Sequence, residues 1–279
     1  MSKPPDLPAA LPADAPGTGW DCHVHVFDAS APVRPAHYVP AHRPLSDIEL
    51  LAQQHDISRL VLVQPSVYGT DNRVMLQALE AAPGRHRGVA VVDAAITDAE
   101  LDRLHRAGVR GVRFNRVSPA GHAGDVMADL LQLAPRLCER DWHVQWYVHA
   151  YDLPQLVKWQ SQTGLRFVLD HLAGLGAAIA ATHPAWAAAQ ALAEAGAWIK
   201  LSGWYRLGCT APYASLQPHI QRAAAWFGPR MVWGSDWPHT SFEADQLPAY
   251  ASTLEPARAS LDAARFHALL HAQAEALYG

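Results

Sequence analysis

The chain is short of several things, and each shortage removes a class of function. No run of apolar residues is long enough to cross a bilayer, and the first residues lack the apolar core of a secretory signal. Cysteine is scarce: Cys22, Cys138 and Cys209 form no CxxC pair and cannot all join in disulfides, which suits a reducing compartment. These features together predict a cytoplasmic protein. Nor is there any excess of positive charge. The 22 Lys and Arg against 26 Asp and Glu give a formal net charge of −4 with no basic run, which argues against nucleic acid or an anionic membrane as partner.

What remains is a 279-residue chain that is 50% hydrophobic, with ten Trp and sixteen His. Such aromatic and imidazole side chains suit the lining of a small-molecule pocket. Residues 1–18 are rich in Pro and Ala without periodicity and are expected to form a disordered tail. The stretch Trp20 to Phe27 follows and reads as a buried strand, rich in β-branched and aromatic residues. Side chains alternate along a strand, so His23 and His25 leave it on one face. Cys22, Val24 and Val26 are then expected to point the other way, into the outer packing. Four prolines keep the loop from Asp28 to Leu45 out of a helix, and a loop of that length fits a rim or lid.

Capping boxes at Ser46-Asp-Ile-Glu49 and Thr97-Asp-Ala-Glu100 predict helix starts. Gly108, Gly164 and Gly196 predict helix stops. Between them lie apolar strands at about 59–64, 87–93, 109–115, 142–149, 166–171, 198–202 and 230–236, and the last helix is expected over 261–277. Eight strands alternating with eight helices predict a parallel sheet closed into a single (β/α)8 TIM barrel over residues 19–279. An open doubly wound sheet would carry a glycine-rich phosphate loop after its first strand, and His-Val-His-Val-Phe-Asp is not one.

Active sites of such barrels lie at the C-terminal strand ends. Here those ends carry His23 and His25, then Gln64 with Ser66 and Tyr68, Asp93, Arg113 and Asn115, Tyr147 and His149. Strands six to eight add Asp170 and His171, Ser202, and Asp236 with Trp237-Pro238-His239.

Three of these clusters resemble the amidohydrolase superfamily: His23-Val-His25, Asp170-His171-Leu-Ala-Gly174 and Gly234-Ser-Asp236-Trp-Pro-His239. Gln64-Pro-Ser66-Val-Tyr68, Arg110-Gly-Val-Arg113-Phe-Asn115 and Trp142-His-Val-Gln-Trp-Tyr147 are most similar to the 2-pyrone-4,6-dicarboxylate lactonase group within it. That group also holds sugar-acid lactonases and lactone isomerases. The resemblance implies hydrolysis of a carboxylated lactone. It makes Asp236 the general base for an attacking water, and His23, His25 and His171 the groups that stabilise the oxyanion. It further implies that Arg113 and Arg206 bind the acid groups of the substrate, with Ser66, Tyr68, Tyr147 and His239 around them. A small anionic lactone is therefore the expected partner; no motif speaks to an oligomeric state.

The same resemblance implies chemistry without a metal. A binuclear centre would want a fourth-strand lysine, where Arg113 and Asn115 stand. The alternative is one zinc held among His23, His25, His149, His171 and Asp236. An isomerase or a zinc-dependent decarboxylase on the same site, or a non-catalytic ligand-binding barrel, are the other readings. One departure concerns specificity. The pyrone lactonases carry a further basic residue after the Arg-Phe-Asn triplet, where this chain has Pro119, with Arg116 and His122 out of register.

Overall fold

Eight parallel strands pair in chain order, β1 with β2 through to β8. They are β1 (Gly19–Val24), β2 (Ile57–Val63), β3 (Arg87–Ala90), β4 (Val109–Asn115), β5 (His143–Tyr147), β6 (Phe167–Leu169), β7 (Trp198–Leu201) and β8 (Met231–Trp233). The computed structural model describes residues 19–279 except 37, 123 and 244, so the tail expected over 1–18 lies outside the described residues. Helices α1 (Leu45–Gln53), α2 (Arg73–Ala81), α3 (Asp98–Arg106), α4 (Val126–Glu139), α5 (Leu153–Thr163), α6 (Pro184–Glu194) and α7 (Gln217–Phe227) each connect one strand to the next. The ring closes where the chain beyond β8 meets β1: Val24 bridges Trp237, Asp236 N–H donates to the His23 carbonyl (2.9 Å) and His25 N–H to the Trp237 carbonyl (2.9 Å).

Alternation along the strands sorts side chains into two layers. On β2, Leu60 and Leu62 join the outer core against the helices, whereas Val61 and Val63 join the barrel interior. The lower interior is apolar, with Trp20, Val89, Val168 and Val232 closed off by Leu277 and Tyr278. Higher up it turns polar, with His143, Gln145, Lys200 and His23 all buried. Gly111 on β4 leaves room for this change, since a Cβ there would lie 2.6 Å from His143 Nε2.

Several local expectations are revised. Cys22 packs inward with Trp20 while Val24 and Val26 face the outer core, because the β1–β2 register slips between Asp21 and Val24. The Ser46 box does not form: Pro44 occupies the N-cap of α1, and Glu49 turns away to Arg85 (3.0 Å) and His86 (3.0 Å). The Thr97 box does cap its helix, with Thr97 Oγ1 accepting from Glu100 N–H at 3.2 Å. The single helix expected over 261–277 is interrupted at His271 (φ −123°, ψ −91°) into α9 (Ala263–Leu270) and α10 (Ala272–Tyr278). A short α8 (Glu255–Ser260) precedes them, so ten α-helices stand among the described residues where eight were expected.

Among described side chains of the outer core, Trp146 is fully buried, with its ring 5.0 Å from Phe114, 5.2 Å from Phe167 and 5.5 Å from Trp159. Trp146→Ala should therefore cost about 3–5 kcal/mol of stability, read from the denaturant midpoint. A loss below about 1 kcal/mol would show that this aromatic cluster is not a packing centre.

Candidate active site

The seam between β8 and β1 builds the centre of the site. Its two backbone hydrogen bonds fix Asp236 beside both histidines, with Asp236 Oδ1 3.7 Å from His23 Nε2 and 3.5 Å from His25 Nε2. Asp236 (φ 64°) and His171 (φ 48°) both adopt left-handed backbone, unusual for residues with a Cβ and characteristic of side chains forced into a functional direction. The second oxygen of Asp236 is held by the Arg206 guanidinium and by the Tyr205 hydroxyl, which donates at 2.7 Å. Arg206, expected as a free anion binder, is thus the ion-pair partner of the carboxylate.

A second buried carboxylate lies below. Asp170 faces His23 Nδ1 (3.3 Å), accepts from Arg113 Nε (3.2 Å) and from Gln145 Nε2 (3.0 Å), and sits 3.9 Å from Lys200 Nζ. Lys200 donates to the Cys22 carbonyl and to Gln145 Oε1, both at 2.7 Å. Lys200, Gln145 and Tyr205 were not anticipated. The available signal for Lys200 was a lone charge at an inward position of the otherwise apolar Trp198-Ile-Lys-Leu201 strand.

Hydrogen-bond logic fixes two of the imidazole tautomers. His25 Nδ1 lies 2.7 Å from the Val63 carbonyl, which can only accept, so Nδ1 carries the proton. His23 Nδ1 faces the Asp170 carboxylate at 3.3 Å, nearer than Nε2 stands to Asp236 (3.7 Å), which places its proton on Nδ1. When neutral, both rings present an Nε2 lone pair to Asp236. His171 differs: its Nδ1 meets the Ser202 hydroxyl at 3.0 Å, and a proton donated by that hydroxyl leaves Nε2–H as a donor. Burial keeps the rings neutral. It lowers His23 and His25, and takes His171 and His239 each down to about 4. For the two carboxyls burial acts upward, yet Arg206 holds Asp236 well below the usual range, as the His23 Nδ1–H with Lys200 and Arg113 holds Asp170.

Above these groups a pocket is lined by His25, Tyr38, Ser66, Arg113, Tyr147 and Arg206. Arg113 stacks over Tyr147 at 5.5 Å, and Asn115 donates to the Ser66 oxygen at 2.7 Å. His239 is buried edge-on to Tyr205, both ring nitrogens lacking a partner among the described residues. Two expected residues are not brought here. The Tyr68 hydroxyl is tied to the backbone of Asp28 (3.0 Å to its N–H and to its carbonyl), pinning the rim loop. His149 is exposed beyond β5, stacked on Tyr151 at 5.0 Å.

Two sets of donors are spaced to hold a metal ion, His23–His25–Asp236 and His23–Asp170–His171, with ligand atoms within 4.8 Å of one another. The first set fits in donor chemistry as well, because its lone pairs converge and neither His23 Nε2 nor Asp236 Oδ1 has a hydrogen-bond partner. His149 belongs to neither set, so the alternative zinc site among His23, His25, His149, His171 and Asp236 is not brought together as a whole.

Burial also takes His143 down to about 3. Between pH 6.5 and about 4 the unfolded chain protonates His143, His171 and His239, while the folded chain does not. Stability should therefore fall as the pH drops through that window. Asp21, raised by burial to about 6, acts in the opposite sense but is one group against three. Denaturant unfolding at pH 7 and pH 4.5 measures the difference, and equal midpoints would contradict three buried neutral imidazoles.

The comparisons with known proteins agree with this geometry. The amidohydrolase family profile matches residues 20–279. A 2-pyrone-4,6-dicarboxylate hydrolase of Comamonas testosteroni is 32% identical over 249 residues, 84% of this chain and 80% of that protein. A 4-sulfomuconolactone hydrolase of Rhizobium radiobacter is 30% identical over 272 residues, 95% of this chain and 91% of that protein. An Acinetobacter baumannii protein, provisionally named a 2-pyrone-4,6-dicarboxylic acid hydrolase and solved with citric acid bound, superposes with a TM-score of 0.84 at 27% identity, covering 94% of this chain and 99% of that one. With the family profile matched over residues 20–279 and a relative 32% identical over most of both chains, the chain belongs to the amidohydrolase family and is an enzyme of it.

Proposed function

We propose that the enzyme hydrolyses a small lactone bearing an acid group, and that it does so without a metal. The observation that carries this reading is Asp236: a buried carboxylate kept ionised by Arg206, with one oxygen unpartnered and facing two imidazole lone pairs. A water placed there donates one hydrogen to Asp236 Oδ1 and the other to His25 or His23 Nε2, which turns an oxygen lone pair toward the substrate carbonyl carbon. As the C–O bond forms, the proton moves to Asp236. Charge develops on the carbonyl oxygen, for which His171 Nε2–H is the donor left available. Collapse of the tetrahedral intermediate breaks the ring C–O bond, and Asp236 returns its proton to the leaving oxygen. In this reading His23 and His25 serve the water, where the sequence reading gave them the oxyanion.

An anionic substrate is supported by Arg113, buried with only its Nε on Asp170 and the rest of its guanidinium toward the pocket. Two of the relatives act on lactones that carry carboxylate or sulfonate groups, and the third holds citric acid. A zinc ion on His23, His25 and Asp236 would supply Lewis-acid polarisation of the carbonyl. The charge balance speaks against it. Arg113, Lys200 and Arg206 already face two carboxylates, and a divalent ion would add to a buried positive excess.

The test is a panel of carboxylated lactones assayed for acid release with and without chelator, beside a metal analysis of the purified protein. Acid release that survives the chelator is expected, and Asp236→Asn should lower it about 10²–10⁴-fold while leaving ligand affinity largely intact. Ring isomerisation without acid release would move the enzyme to the isomerases. Activity that depends on one bound zinc per chain would replace the metal-free reading.

A further inference from the structure

A second cavity, of about 230 Å3, shares Ser66, Arg113 and Asn115 with the catalytic pocket, and Asp236 does not line it. Its outer wall is Arg34, from the loop that follows β1. Three observations single this residue out. Its backbone N–H donates to the Val67 carbonyl at 2.7 Å, which ties the loop across the strand-two turn. Its guanidinium lies where a side chain at Gly69 would be, and Gly69 holds φ +52°, so that position is open to Arg34 only because residue 69 has no Cβ. Among the described residues the guanidinium has no hydrogen bond or ion pair, although two acids line the same cavity. Of those acids Asp129 is bonded by His122 (2.9 Å), and Asp93 is exposed to solvent with Oδ1 accepting from Ala95 N–H (3.0 Å). The loop from Pro119 to His122 supplies the opposite wall and contributes no free cation, since His122 is spent on Asp129.

We propose that this cavity is the subsite for a non-reacting acid group of the substrate, and that Arg34 is the specificity-determining residue that receives it opposite Arg113. The substrate class is then a lactone with a carboxylate or sulfonate on an arm pointing away from the reacting carbonyl. The inference deepens the lactonase reading and rests on it for the identity of the ring, but not for the anion.

Citrate, a tricarboxylate, separates the two. Titration calorimetry of the full chain with citrate should show binding that weakens about tenfold in Arg34→Met, the order expected for one charge-assisted hydrogen bond, and less in Arg34→Lys. Arg34 is exposed, so neither variant threatens the fold. With a turned-over carboxylated lactone, Arg34→Met should raise KM by a similar factor with kcat within about twofold, and its neutral methyl ester should not respond. Absence of citrate binding by the wild type, or equal citrate affinity in wild type and Arg34→Met, overturns the subsite. If no lactone is turned over but the citrate effect holds, the acid subsite stands and the lactonase reading falls.

Discussion

The arrangement depends on burying two carboxylates around one imidazole. Asp170 and Asp236 flank His23 on its Nδ1 and Nε2 sides, and none of the three reaches solvent. Unpaired, either carboxylate would protonate or unfold the site. Each is instead matched to cations from other strands: Arg113 and Lys200 on the lower one, Arg206 on the upper. This explains why a buried lysine stands in the middle of β7. Lys200 can only donate, so Gln145 must turn its oxygen toward Lys200 and its amide toward Asp170. The amide orientation, the charge on Asp170 and the His23 tautomer then follow in sequence.

That chain of donors also couples stability to site geometry. The polar layer sits directly on the apolar floor formed by Trp20, Val168 and Tyr278, with Lys200 5.7 Å from the Tyr278 ring. Strands β1, β4, β5 and β7 send His23, Arg113, Gln145 and Lys200 into it and Asp170 follows β6 directly, so slippage of any one would strand a buried polar atom. The seam adds a second restraint. The backbone hydrogen bonds that close the barrel are also those that set Asp236 against His23 and His25, so closing the ring and assembling the site are one event.

Much of this was legible in the sequence. Alternating apolar strands and helix stops specify the barrel, and β4, α5 and the Thr97 cap fall where the pattern puts them. The histidines of β1, His171 and Asp236 meet because strand ends in such a barrel share one mouth. Other features were not legible, for reasons of geometry. A one-residue register slip sends Cys22 inward, and alternation alone cannot reveal it. Tyr68 and His149 are polar residues just past strand ends, like those that line the site. Local turns direct them instead to the Asp28 backbone and to Tyr151. Arg34 lies in a proline-rich loop without periodicity, and only the folded chain brings it near Arg113.

The roles of Arg206 and Arg113 follow from what each has left to offer. Arg206 places its Nε on Asp236 and stacks on Tyr205 at 5.1 Å, so it lowers the basicity of that carboxylate while its outer nitrogens, met only by Ser241 (3.4 Å) and Thr240 (3.5 Å), border the pocket. A carboxylate of low proton affinity is a reluctant base but a ready acid, which favours return of the proton to a departing ring oxygen over keeping it. In the proposed reaction attack then needs help in positioning the water, which is the part given there to the two lone pairs of His23 and His25. Arg113 is half committed, with Nε on Asp170 and the outer nitrogens toward the pocket. An anion on those nitrogens would weaken the hold of Arg113 on Asp170, leaving Lys200 and Gln145 to carry more of that charge. In the proposed reaction substrate binding and the buried network are therefore joined at Arg113, one hydrogen bond from the carboxylate that faces His23 Nδ1.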